Sequence, residues 1–154
     1  MGALRQAQDD KFYVQQSKTN YIKIRIAYSI FKIYTMDKIN LAEKFNLFTE
    51  HWSPKIVGEL NGQHVKLVKF KGPFVWHHHE DEDELFLVVK GSFTMEFRDK
   101  NIEMKEGEFL IVPCGIEHRP NAEQEVEVLL FEPASTLNTG NTEGELTKKK
   151  LDSI

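Results

Sequence analysis

From residue 55 onward, apolar and polar residues alternate in short runs broken by glycine, proline and asparagine. Ile56–Leu60 and Val65–Phe70 flank Asn61-Gly62. That pair suits a two-residue type I′ turn, whose central positions both need φ above zero, and it predicts a hairpin. Leu85–Val89 is an apolar run ended by Lys90-Gly91, and Phe93–Phe97 alternates until the turn residues Arg98-Asp99-Lys100-Asn101. Phe109–Val112, closed by Pro113, and Val126–Phe131, closed by Pro133, follow. Strands this short, with turn signals at roughly 8–12-residue intervals, predict an all-β antiparallel sandwich or barrel. A short helix is expected over Leu41–Phe48, and no long helical period comes after it. Ala134–Ile154, rich in Thr, Asn and Gly and then charged at Lys148-Lys149-Lys150, is expected to wrap loosely over the barrel or to be partly disordered.

Length and composition narrow the class. The chain has 154 residues, of which 40% are apolar and 29% charged, with a net charge of −4. One domain is expected, neither membrane-embedded nor disordered, and nucleic acid and anionic membranes are disfavoured as partners. The lone cysteine, Cys114, excludes an intrachain disulfide framework and a multi-cysteine zinc site. It fits a reducing compartment, so a cytoplasmic location is expected.

The charge is uneven. Residues 1–35 carry six Lys/Arg against two Asp, a balance of +4, which leaves −8 for residues 36–154. Met36-Asp37-Lys38-Ile39 reads as a natural start, and residues 1–35 as a dispensable extension. An added edge strand, a dimer arm or a targeting segment are the alternatives for that stretch. Its apolar positions, Tyr21 to Tyr34, are interrupted by Lys23, Arg25 and Lys32, so it has no uncharged run of the roughly 18 residues a bilayer requires.

Four of the six histidines fall in two short segments. His77 and His79 are two apart, so on extended backbone their imidazoles share a face while His78 points away. Glu84 opens the apolar run Leu85–Val89. A carboxylate at the lip of a buried strand is costly unless a cation or hydrogen bonds compensate it. His118 follows the turn Pro113-Cys114-Gly115, which can aim it back to the same interior. Each feature also has an ordinary reading: a histidine run at a sheet edge, a solvated acidic loop over Glu80–Asp83, a loop histidine. Together, three imidazoles and a carboxylate form a donor set for one first-row divalent ion, iron(II), manganese, nickel or zinc, with one or two coordination positions left open.

The spacing His77-x-His79-x4-Glu84-x6-Gly91, followed by Gly107-x5-Pro113-x-Gly115-x2-His118, resembles the two signature motifs of the cupin family, small double-stranded β-helix (jelly-roll) barrels. The resemblance covers roughly residues 55–132 within a cupin domain spanning 36–154. The fifteen residues between Gly91 and Gly107 are similar to the spacer of small single-domain bacterial cupins. It implies that His77, His79, Glu84 and His118 are metal ligands and that the glycines and Pro113 serve the turns. The chain departs from the family pattern outside the ligands: four residues rather than five separate Gly72 from His77, and Asn121 arrives one position early.

Strand parity places Phe86 and Val88 on the side of Glu84, with Leu85, Leu87 and Val89 opposite. Trp76, Phe70, Phe86, Met95, Phe97 and Phe131 are candidates for an apolar wall facing a small organic ligand. Arg119 is a candidate to bind a carboxylate or phosphate, or else to pair with an acid at 80–83. No catalytic side chain separate from the metal ligands is identified. Parity leaves open whether Lys66, Lys69 or His64 faces inward as a base. A metal-dependent enzyme on a small molecule leads, oxygenase-like or sugar-isomerase-like as the resemblance implies. A non-catalytic binding cupin and a metal-stabilised structural barrel are the alternatives. Exposed sheet edges and an apolar outer face make a homodimer the expected state.

Overall fold

The computed structural model describes residues 37–154, of which 39–154 form one compact unit. The roles expected for residues 1–35 lie outside the described residues. Helix α1 (Leu41–Phe45) is preceded by Asn40, whose side chain accepts from the Glu43 N–H while its amide donates to the Glu43 carboxylate. The helix stops three residues before the expected Phe48, with Asn46 as its C-cap. Phe48 lies beyond the helix but still packs with Phe45 on Leu67, forming a small apolar layer outside the sheet.

Eight strands follow: β1 (Lys55–Leu60), β2 (Gln63–Pro73), β3 (Glu84–Lys90), β4 (Ser92–Phe97), β5 (Asn101–Lys105), β6 (Phe109–Val112), β7 (His118–Pro133) and β8 (Asp152–Ser153). The β1–β2 turn has positive φ at both Asn61 (53°) and Gly62 (79°), as the sequence demanded. Gly91, between β3 and β4, has φ of 90°, and a Cβ there would sit 3.3 Å from the Glu125 carbonyl oxygen.

Strand β7 is the spine of the barrel. One edge pairs antiparallel with β2 along almost its whole length; the other pairs with β4 over His118–Asn121 and with β3 over Glu127–Phe131. The sequence reading placed only Val126–Phe131 in this strand. Pro120 and the polar run Glu123-Gln124-Glu125 resemble a loop, yet the strand runs through them: Pro120 pairs with Met95, and Glu123–Glu125 bulge out where the β2–β7 register shifts between Phe70 and Gly72. Val126, Val128 and Leu130 point into the barrel with Val68, Phe70, Phe86, Val88, Phe93 and Met95. The double-stranded β-helix expected from the motifs is the observed fold.

The tail after β7 is more ordered than expected. Thr136 and Thr139 are buried, Leu146 packs on the core, and β8 extends the sheet by pairing parallel with β1. Among the described residues, no helix is long and apolar enough to cross a membrane.

Candidate metal centre

The turn before β3 and the start of β7 bring the two histidine segments together. His77 and His118 form an isolated antiparallel bridge, each N–H donating to the other's carbonyl at 3.1 and 2.9 Å. Both rings are then keyed alike. His77 Nδ1 donates to the Val75 carbonyl at 3.0 Å and His118 Nδ1 to the Ile116 carbonyl at 2.9 Å. Each Nε2 is thereby left with its lone pair facing inward. Glu84 Oε2 lies 3.3 Å from His79 Nε2 and 3.5 Å from His118 Nε2.

The donor atoms of His77, His79, Glu84 and His118 all lie within 4.8 Å of one another, and all four residues are buried. His79 Nε2, His118 Nε2 and Glu84 Oε2 have no hydrogen-bond partner despite full burial. Orphaned buried atoms of this kind need an explanation, and a bound cation supplies one. The residues fit a divalent ion: borderline nitrogen and oxygen donors, converging, with the far ring nitrogens of His77 and His118 fixed by main-chain carbonyls.

Electrostatics agree. Burial, reinforced by His118, pushes the His77 imidazole down to about 4, so it is neutral and able to ligate near pH 7. Burial opposes ionisation of Glu84, but the adjacent His118 and His79 rings outweigh it and hold the carboxyl below its ordinary value.

Aromatic side chains surround the cluster. Phe74 meets His77 edge-on with ring centroids 5.3 Å apart, and Phe86 meets His118 at 5.9 Å. Trp52 stacks on both Phe70 and Phe74. These rings, with Leu130 and Asn138, line a cavity of about 20 Å³ that touches His77 and Glu84.

The expected wall is only partly right. Phe70 and Phe86 are on it. Met95 is fully buried in the core, away from the cavity lining, and Phe97 is half-buried against the core with the Lys100 ammonium over its ring. Phe131 is a correction: it pairs opposite Leu85 and shares the outer face with it, and Leu130 takes the inward place opposite Phe86. Trp76 is a second correction, because it follows the same alternation away from His77. Its ring is covered outside the cavity by Arg98 at 3.8 Å and Arg119 at 5.0 Å. Arg119 is the third. It pairs with Glu96 across β4–β7, not with an acid at 80–83, and with Asn121 it holds the Glu96 carboxyl below its ordinary value. Asn121 and Arg119 thus share one outward carboxylate.

Trp52, Phe74, Leu130 and Asn138 were not anticipated as lining residues. Leu130 was recoverable from parity with Val126 and Val128; Trp52 was not, since it precedes β1 and is positioned by an N–H to the Lys69 carbonyl. His78 points away, as expected, and meets Glu80 at 2.9 Å. Glu80, Asp81 and Asp83 are exposed, as expected of a solvated acidic loop, and Asp83 accepts from the Cys114 N–H.

The tail straps the histidine segment. Asn141 N–H donates to the His78 carbonyl, the His78 N–H donates to Asn141 Oδ1, and Thr142 Oγ1 donates to the Trp76 carbonyl. Gly140 has φ of 48°, and a Cβ there would fall 2.0 Å from the His78 oxygen. Replacing Gly140 with valine is expected to destabilise the fold by about 1–3 kcal/mol, measured by urea unfolding. Wild-type stability would show that the strap tolerates displacement.

Sequence comparison agrees with the geometry. The cupin domain profile matches residues 66–132. A solved cupin-2 domain protein from Shewanella frigidimarina is 46% identical, covering 62% of this chain and 93% of its own, with a TM-score of 0.61. The chain belongs to the cupin family. Among curated proteins, this cupin is 41% identical over 64 residues to the uncharacterized protein YdbB of Bacillus subtilis, covering 41% of this chain and 57% of YdbB. It is 28% identical over 101 residues to a 3-hydroxyanthranilate 3,4-dioxygenase of Xenopus laevis, covering 61% of this chain and 36% of that enzyme. The matches to these curated relatives therefore span about half of their length or less.

Proposed function

We propose that this cupin binds one divalent transition ion through His77, His79, Glu84 and His118 and uses it to oxygenate a small organic, preferably aromatic, substrate. The observation that carries the reading is the convergence of orphaned, buried Nε2 and Oε2 atoms in one donor cluster, which an aromatic-lined cavity reaches at His77 and Glu84. A redox-active ion such as iron(II) supplies the means of bringing dioxygen and a chelating substrate together. The chain's own residues do the rest. The Val75 and Ile116 carbonyls hold two imidazoles in the ligating tautomer. Phe74 and Phe86 pack roughly perpendicular to the His77 and His118 rings and give the site an apolar lining.

Among the described residues lining the cavity, the ionisable ones are His77 and Glu84, both in the donor set. The dioxygenase relative supports oxygenation at 28% identity.

The ion that copurifies divides redox from non-redox chemistry before any substrate is tried. Iron-loaded protein is then expected to consume oxygen when given catechol-like, aminophenol-like or 1,3-diketone compounds, followed by oxygen electrode. No uptake across the panel by fully loaded protein moves the assignment to a ligand-binding cupin.

We also infer a homodimer in a cytoplasmic setting. Among the described residues strand β6 pairs with β3 alone, and its outer face exposes Phe109 (62%) and Ile111 (51%), the latter beside Leu85 and Phe131. An apolar sheet face at an open edge is the kind of surface that associates with a second copy. Sedimentation is expected to give twice the chain mass, and Ile111→Glu to return it to one chain; a wild-type monomer sinks the inference.

A further inference from the structure

Beside the four donors the barrel holds a second buried polar group. On β2 the inward side chains are Lys66, Val68 and Phe70; Lys69, on the other face, meets Glu125 instead. On β7, Glu132 continues the inward series Val128, Leu130. Lys66 and Glu132 are each 1% exposed and form a 2.6 Å contact between Nζ and Oε1. Lys66 Nζ also donates to the Thr136 carbonyl at 3.4 Å. Glu132 Oε2 is buried without a partner.

The register brings this pair to the donor set. Leu85 lies opposite Phe131 and Phe86 opposite Leu130, so the next positions along β3 and β7 are Glu84 and Glu132. The two carboxyl side chains thus leave neighbouring strands on the same, inward face, and both are buried. A buried ion pair is seldom more stabilising than apolar side chains of the same volume, so its presence here calls for a reason other than stability. His77 and His118 are oriented by main-chain carbonyls. Among the described residues Glu84 has no main-chain donor of that kind. Its neighbour on β7 is Glu132, tied down by Lys66.

We propose that Lys66 and Glu132 are a positioning pair that fixes the carboxylate of Glu84 toward the three imidazoles. Lys66 anchors Glu132 and offsets the charge of the added carboxyl group. Glu132 fills the space into which Glu84 would otherwise turn. The inference rests on the metal-binding reading above and deepens it.

The test uses the full chain, Mn²⁺ as probe, and four variants: Lys66→Met, Glu132→Leu, Glu132→Asp and Glu132→Gln. Mn²⁺ affinity, the electron paramagnetic resonance spectrum of the bound ion and the melting temperature in chelator are measured on each. Lys66→Met, Glu132→Leu and Glu132→Asp are expected to weaken Mn²⁺ binding by about 10–100-fold, with an altered spectrum of the bound ion. Glu132→Gln is expected to stay near wild type, because its amide oxygen accepts from Lys66 while its N–H₂ keeps the same volume beside Glu84 and can donate to it. Should the Leu and Met variants fail to fold, the Asp variant carries the test, since it keeps the charge and the tie to Lys66 but withdraws from Glu84. Wild-type affinity and spectrum in the folded variants, with only the melting temperature lowered, overturn the proposal and leave a packing role. A wild-type chain that takes up none of Mn²⁺, Fe²⁺, Ni²⁺ or Zn²⁺ overturns the metal reading instead.

Discussion

Replacing His77 and His79 together by alanine is expected to take the metal content from about one equivalent per chain to about none. The two imidazoles belong to a cluster whose donor atoms all lie within 4.8 Å of one another. Removing both leaves Glu84 and His118, too few donors for a buried transition-ion site. The protein fold itself is expected to survive, because the barrel core is formed by Val68, Phe86, Val88, Met95, Val126 and Val128 rather than by the ligands. Element analysis reads the first half of this expectation. Thermal unfolding reads the second: at metal concentrations about 100 times Kd, the wild type gains roughly 2.7 kcal/mol, and the double variant gains nothing. Retention of stoichiometric metal by the folded double variant removes the donor set as the site.

Acid should weaken the metal-free protein through His77. In the fold this imidazole takes up its proton only near pH 4, against 6.5 when exposed, principally because of its burial. Between those two values the unfolded chain holds more protons, so lowering the pH favours unfolding. The loss begins as pH drops below about 6.5 and amounts to roughly 3 kcal/mol by pH 4. Glu84 acts in the same direction at more acid pH. Its carboxyl is held below 4.5 in the fold, so the stability it contributes is present above that value and is lost as pH falls toward its folded value. Urea midpoints measured from pH 7.5 to pH 4.5 in chelator are expected to slope downward for the wild type. They should slope much less for His77→Asn, which cannot take up a proton there. Parallel profiles for the two proteins would show that His77 is not the group responsible.

The strands and donor set were legible because both are written in short-range code. Period-two alternation gives the strands, Asn61-Gly62 gives a turn with two positive φ values, and fixed spacings link His77, His79, Glu84 and His118. The errors came where parity was set aside for residue type. Trp76 and Arg119 each adjoin an inward histidine on extended chain, so alternation alone puts them outside. Phe131 is aromatic but out of phase with the inward series on β7, which Val126 and Val128 fix and Leu130 continues. Other features had no local signal. Lys66 and Glu132 are 66 positions apart and meet only through β2–β7 pairing. The ordered tail depends on contacts such as Asn141 with His78, which composition cannot reveal.

Strand β7 is continuous from His118 to Pro133 and supplies the inward row as far as Glu132. A slip of one residue against β2 would turn that whole row outward and carry the His118 imidazole out with it. Ion capture therefore discriminates between the native alignment and its off-by-one competitors, and metal added during refolding is expected to enrich correctly aligned chains.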